Sequence, residues 1–253
     1  FELVAKIEEE HMQVTACVEL RAEAAEEVLA TAPERTFPGC RTAPAGPMIL
    51  TTMPENRLID PDESDELLLF TDAAETVTVT AHSHAFLLVY RYSIPEAGLW
   101  LFHLAARNFP GAESLTVDAG ACGTVRYTVA TVPDGAVRLA WRSGEGSVEQ
   151  CTFPTVRSVS VAAEKQRVCG PDGHAGAAAE LERRELLVSA FEPAEVLEAL
   201  GEVLATPDVW RAADGEYEGV DVLTEEAVVR RYGTMSTLEL EIRPKRKNRM
   251  PWN

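Results

Sequence analysis

Apolar residues recur at every second position through the middle of this chain. Residues 76–80 alternate Thr and Val, and residues 82–92 and 99–106 carry the same period with bulkier side chains. Period two predicts half-buried strands. More strands are expected at 123–131, 136–143, 147–153 and 156–162, punctuated by Pro133-Asp-Gly135 and Gly144-Glu-Gly146, which have the composition of tight turns. Ile94-Pro-Glu-Ala-Gly98 reads as the turn of a hairpin joining 82–92 to 99–106. Strands this short and closely spaced predict an antiparallel sandwich or barrel.

The two ends mix strands with helix. Phe1, Leu3, Ala5 and Ile7, then Met12, Val14, Ala16, Val18 and Leu20, predict strands turning near residues 8–11; an acidic amphipathic helix is the rival reading. Residues 22–32 are rich in strong helix formers and stop before Pro33. Six prolines and the run Asp60-Pro-Asp-Glu-Ser-Asp-Glu66 predict an extended connector over 33–66. Residues 169–179, CGPDGHAGAAA, read as a flexible linker or loop. A strand is then expected at 186–190 and a helix at 192–205. Pro193 stands near its first turn, and Val196, Leu197, Leu200, Val203 and Leu204 form one face. Strands at 217–223, 226–232 and 236–242 finish the pattern.

The expected fold is therefore α+β and mainly β: a central antiparallel β-sandwich or barrel, an immunoglobulin-like one among the candidates, with flanking helix-plus-strand segments. Its expected divisions are 1–66 (acidic segment and Pro-rich connector), 67–168 (central β domain), 169–184 (linker), 185–242 (C-terminal α+β segment) and 243–253 (basic tail).

Charge sharpens the divisions. The chain carries −18 overall, yet its last eleven residues hold five bases and no acid. Residues 76–165 balance seven acids against seven bases, so the negative charge lies in the flanks. Such segregation bears on partners and solubility more than on chemistry. A hydrophobic content of 46% suffices for one large core or two ordinary ones. Apolar runs fall far short of the roughly 20 residues of a membrane-spanning helix. Phe1 in place of an initiator methionine reads as a processed form or a fragment. The five cysteines (Cys17, Cys40, Cys122, Cys151, Cys169) form no C-x-x-C pair, which argues against a zinc ribbon or redox dithiol. Buried reduced thiols are expected, with a Cys122–Cys151 bridge as the alternative.

Candidate chemistry is thin. His82-x-His84 followed by Pro95, Gly98 and His103 resembles the metal-binding pattern of cupin barrels, but no glutamate follows His84 before Tyr92. In the expected hairpin the imidazoles of His84 and His103 would stand roughly 16 Å apart, too far to share a metal. Phe86, Leu88, Tyr90 and Tyr92 fall on one face, with Trp100, Phe102 and Leu104 expected to join them as packing material. The string Tyr92-x-x-Pro-Glu-Ala-Gly-x-Trp100 with Phe109-Pro-Gly-Ala and Val117 resembles the closing strands of immunoglobulin-like filamin repeats, which implies a sandwich. Asp60, Asp62, Ser64 and Glu66 alternate like a calcium loop, but Asp65 stands where glycine is needed and Thr71 where the closing glutamate belongs. Glu239 and Glu241 share a strand face before Arg243 and Lys245. This resembles the E-x-E-x-K of triphosphate tunnel enzymes, which carry it early in the barrel rather than last. No nucleophile elbow, phosphate-binding loop, dinucleotide fingerprint or H-E-x-x-H occurs.

The tail is the remaining candidate. Arg243, Lys245, Arg246, Lys247, Arg249 and Trp252 form a basic, Trp-anchored end suited to a partner's acidic surface, to the chain's own acidic body, or to a polyanion. Pro244-Lys-Arg-Lys-Asn-Arg249 also looks like a short nuclear import signal. The leading functional expectation is a non-enzymatic interaction or scaffold subunit of a larger assembly, whose acidic flanks contact basic partners while the tail anchors or addresses it. No cofactor is implied. The alternatives are a small-molecule-binding β-barrel or enzyme with an aromatic interior, and an extracellular immunoglobulin-like adhesion domain. The expected location is intracellular, with organelle and nucleus unseparated.

Overall fold

A computed structural model describes residues 45–170, 173–213, 216–227, 229–233, 235–245 and 248–250, with four short strands nearer the N-terminus. Those strands pair antiparallel: β1 (Ala16–Val18) with β4 (Arg35–Phe37), and β2 (Arg21–Ala24) with β3 (Glu27–Thr31). The helix expected over 22–32 gives way to the β2–β3 pair. Helix propensity is a preference of tenths of a kcal/mol per residue, and strand pairing overrides it. The strands expected before residue 16 lie outside the described residues.

The chain is mainly β and divides into two compact units. The first comprises Phe1–Val132 with Arg142–Gln150. It holds β5 (Met48–Leu50), β6 (Asn56–Ile59), β7 (Ser64–Thr71), β8 (Glu75–His82), β9 (Leu87–Ile94), β10 (Gly98–Ala105), β11 (Ser114–Asp118) and β12 (Thr124–Val129). Two sheets result, ordered β10-β7-β5 and β6-β12-β11-β8-β9. The pairings are antiparallel except β6 with β12, which is parallel. In β8 the Thr-Val alternation does what period two predicts: Val77, Val79 and Ala81 are buried while the threonines face outward. One core joins the sheets, with Leu67 and Leu69 from the smaller meeting Val77, Val79, Leu115 and Val117 from the larger.

This is a sandwich with the strand order of the immunoglobulin fold. β5, β7 and β10 take the A, B and E positions, and β12, β11, β8 and β9 take G, F, C and C′. No described strand takes the D position, so β10 is an edge. Three sequence expectations are corrected here. Ile94 to Gly98 closes no hairpin: β9 pairs β8, β10 pairs β7, and the segment carries the chain from one sheet to the other. The filamin-like string covers β9, β10 and β11, which are not the closing strands, because β12 follows. The acidic run 60–66 is a turn into β7 rather than a connector. There the Asp60 carboxylate accepts from the backbone N–H groups of Asp62 (2.9 Å) and Val132 (2.8 Å). A boundary between 66 and 67 would thus cut β7 in two.

The second unit comprises Pro133–Trp141 with Cys151–Asn253. Its strands are β13 (Val137–Arg142) and β14 (Val148–Phe153), whose shared tip over 142–150 belongs to the first unit, then β15 (Thr155–Gly170), β16 (Gly173–Val188), β17 (Val209–Ala213), β18 (Glu216–Val222), β19 (Val229–Tyr232), β20 (Met235–Pro244) and β21 (Asn248–Met250). Seven follow the order β14-β13-β17-β18-β20-β16-β15, with β19 on β20 and β21 on β16. Helix α1 (Ala194–Leu200) buries Val196, Leu197 and Leu200, the face its sequence predicts. The expected central domain, 67–168, is therefore shared between the two units.

The expected linker at 169–184 is instead the tip and return strand of a hairpin. β15 and β16 each run sixteen residues, roughly 50 Å at the usual strand rise. Gly173 takes φ +105° at the tip, a backbone state that glycine adopts freely. The sheet is also strongly coiled. Val137 on β13 and Val159 on β15 line one cleft, yet five strand spacings would hold them roughly 24 Å apart in a flat sheet.

Candidate interaction surface

β9 and β10 follow each other in sequence but form the free edges of opposite sheets. The sandwich is consequently open along that side. Val77, Val79 and Ala81 point into the core, and their directly opposed partners Tyr92, Tyr90 and Leu88 share that face. Near the edge these three are only half covered: Tyr90 stays 42% exposed and Tyr92 43%. On the opposite face of β9, Leu87 is 63% exposed and Val89 46%. Hydrophobic side chains therefore stand exposed on both faces of one edge strand, with Arg91 its single charge.

Aromatic side chains line the opening. Phe102 lies opposite Leu67 and Trp100 opposite Leu69, so both rise from β10 toward the core. Tyr92 meets Phe102 edge to face with centroids 5.3 Å apart, and Tyr90 meets Phe109 at the same distance. The expected meeting of β9 and β10 aromatics thus occurs, across two sheets rather than along one hairpin. The Trp100 indole N–H donates to the Glu96 carbonyl at 3.1 Å, fixing that ring at the rim.

A buried ionic cluster closes another part of the first unit. Arg57 on β6 and Tyr127 on β12 are register partners, and Asp65 lies on β7. Arg57 Nη1 donates to Asp65 Oδ2 at 3.0 Å, Nη2 to Thr51 Oγ1 at 2.6 Å, and Nε to the Pro54 carbonyl at 3.1 Å. The Tyr127 hydroxyl donates to the same Asp65 oxygen at 2.8 Å. Glu149, from the β13–β14 tip, stands 3.5 Å from Arg57 Nη1 and accepts from the Ser147 hydroxyl at 2.8 Å and the Thr52 N–H at 3.2 Å. Gly146, at φ +88°, makes the tight turn that sets this tip.

One guanidinium thus faces two carboxylates with almost no solvent. Burial pushes the Glu149 carboxyl above its ordinary value, and Arg57 only partly opposes this. Burial, then Asp65, drive the Tyr127 hydroxyl well above its own. Burial alone would lower Arg57, but Asp65, Tyr127 and Glu149 outweigh it and hold the cation firmly charged. Arg57, Asp65, Tyr127 and Glu149 are all buried, so the cluster reads as a lock on the fold. These four residues are too scattered in sequence to announce themselves.

The residues singled out from sequence fall as follows. His82 ends β8 and His103 lies on β10 of the other sheet; His84 contacts Glu113, and His103 stands 4.0 Å from Glu66. Among the described residues no group of three His, Cys, Asp or Glu could hold a metal. Cys122, Cys151 and Cys169 are free thiols, Cys122 buried and Cys169 exposed. Glu239 pairs with Arg157 at 2.5 Å. In the tail, Arg243 donates to Asp221 Oδ2 through Nε (3.0 Å) and Nη2 (2.8 Å), and to Glu182 through Nη1 (3.2 Å). Lys245 Nζ reaches the Pro207 carbonyl at 3.0 Å. Arg249 lies on β21, opposite Glu180 of β16; Arg246, Lys247 and Trp252 lie outside the described residues. Among the described residues, no helix is long and apolar enough to cross a membrane.

Comparison with protein families, with curated proteins and with solved structures finds no match.

Proposed function

We propose that this chain is a non-enzymatic interaction subunit of a larger assembly, and that a partner segment docks along the open β9/β10 edge. The observation that carries the reading is β9 itself, an eight-residue edge strand with Leu87 and Val89 exposed on one face and Leu88, Tyr90 and Tyr92 on the other. Edge strands are ordinarily blunted by charge, proline or a covering element, because their unpaired N–H and C=O groups template further pairing. An extended partner adding to β9 would satisfy those groups, while its alternate side chains met the aromatic opening on one face and Leu87 and Val89 on the other.

The charge distribution supports a basic partner, which the acidic flanks would draw in. The tail spends part of its charge at home: Arg243 and Lys245 contact acidic or carbonyl groups of the second unit. As an anchor or address it would act through its remaining residues.

Val89→Lys tests the reading. It places a charge on the edge at an exposed position, where the cost in stability is within about 0.5 kcal/mol. Affinity purification and size exclusion with light scattering should show the native chain in a complex and V89K released from it. A native chain that stays monomeric and captures nothing, or a V89K complex of unchanged composition, overturns the proposal.

A further inference from the structure

β15 ends its sheet: among the described residues it pairs with β16 and with no other strand. Its ladder to β16 is regular from Ser158 to Gln166, between register shifts at 156–158 and 166–167. Within that stretch Ser158-Val-Ser-Val-Ala-Ala163 carries no charge, although a quarter of the chain's residues do. All six residues are exposed, Val159 at 49% and Val161 at 66%. Charge, proline and bulges ordinarily protect such an edge. Here Pro154, Arg157 and Glu164 all lie outside the six residues.

The hairpin is also narrowest at this point. β16 pairs with β20 over Glu185–Val188 and with β21 over Ala179–Leu181. Ser160, Val161 and Ala162 lie opposite residues 182–184 of β16, between those two ladders. In the described pairing the sheet is two strands wide there, and a two-stranded ribbon is marginal in water.

A second copy of the same strand supplies what this edge lacks. A two-fold axis at Ser160 would set Val159 opposite Val161 of the second copy, and Val161 opposite its Val159. On the other face Ser158 and Ala162 would match in the same way. Each exposed valine then gains an apolar cross-strand partner, and no acid faces an acid. That matters in a chain of −18, whose copies otherwise repel each other. A charged partner gains nothing from so neutral a strip.

We propose that β15 pairs antiparallel with β15 of a second copy, giving a two-fold homodimer whose sheet runs through both chains. This contact lies in the second unit and does not rest on the β9/β10 reading.

Sedimentation velocity over a concentration series tests it, with Val161→Glu and Val161→Thr beside the native chain. The purified chain is measured alone, so a partner on the β9/β10 edge has no part in the result. Val161 lies opposite Arg183 in its own hairpin, so a glutamate there is accommodated within one chain. The native chain should approach twice the mass of one chain as concentration rises. V161E should weaken dimerisation about tenfold, since the two-fold axis counts each lost cross-strand pair twice. V161T, neutral and β-branched, should weaken it much less. A native chain of monomer mass throughout, V161E dimerising like the native chain, or V161T as weak as V161E overturns the assignment.

Discussion

Tyr92 and Phe102 touch edge to face although their strands belong to opposite sheets. The contact spans the side of the sandwich where no described strand takes the D position, so it helps hold the open edge together as well as forming part of its surface. Phe102→Ala should destabilise the first unit by about 2 kcal/mol. That is less than the 3–5 kcal/mol of a fully buried Phe, because this ring is partly covered. Urea unfolding followed by tryptophan fluorescence would give the value. A loss above the fully buried range would mean the edge is better packed than its exposure indicates.

The Arg57–Asp65 pair should be far more sensitive. Arg57→Met leaves the buried Asp65 and Glu149 without the cation they share, and removing one member of a buried pair costs about 3–5 kcal/mol. Tyr127→Phe removes one donor from an ionised acceptor and should cost about 1–3 kcal/mol. Chemical denaturation should therefore rank R57M well below Y127F, with both below the native chain. Equal stability of all three would show that water reaches the cluster.

Glu149 gives this cluster a pH signature. Its folded carboxyl binds a proton more readily than the unfolded one, because burial raises it above the ordinary 4.5. The folded state therefore holds the extra proton between 4.5 and the raised value. Stability from this group is fully present below 4.5 and declines as pH rises through that window. Glu182 works the other way: the hydrogen bond from Arg184 lowers its carboxyl, so its contribution is lost as pH falls. Unfolding midpoints measured from pH 4 to 8 should show a shallower decline in Glu149→Gln than in the native chain. An identical slope would remove Glu149 as its source.

Thiol reactivity should follow burial. Cys122 is buried, its Sγ donates to the Phe70 carbonyl at 3.2 Å, and burial, then Glu75 and Asp72, push its thiol above the ordinary value. Both thiolate character and access are therefore low. Brief iodoacetamide labelling at neutral pH, read by peptide mass spectrometry, should modify the exposed Cys169 well before Cys122. Faster labelling of Cys122 would contradict the packing around it.

Period-two alternation located β8 and β12 closely, since each has one buried face that demands it, whereas β5, β6, β7, β11 and β17 were not anticipated. Sheet membership was much less legible. Ile94-Pro-Glu-Ala-Gly98 has turn chemistry, but the same residues serve a hairpin or a crossing between sheets, and long-range pairing of β7 with β10 decides. Gly170-Pro-Asp-Gly173 is a turn signal that the neighbouring alanines disguised as a linker. The exposure of Leu87 and Val89 was hidden for a related reason: apolar residues at alternate positions look alike on central and edge strands. The coiling that brings Val137 and Val159 to one cleft was hidden as well, because no local pattern in the sequence encodes it.

The basic tail carries the last prediction, because the structure ties its start to the chain itself. β20 continues through Arg243 and Pro244, which lie opposite Asp221 and Val220, and β21 pairs with β16 at residues 179–181. Arg243 is held above its ordinary value by hydrogen bonds to Asp221 and then Glu182. Ending the chain at Ile242 should therefore remove strand pairing as well as five positive charges. A partly exposed ion pair contributes at most about 1 kcal/mol, so Arg243→Gln alone should shift the unfolding midpoint only slightly. The truncation should shift it several-fold more, through the lost β20 and β21 pairings. Thermal unfolding of both variants beside the native chain separates the two contributions. If truncation and R243Q shift the midpoint equally, the tail acts on the fold through charge alone, and strand pairing beyond residue 242 contributes nothing.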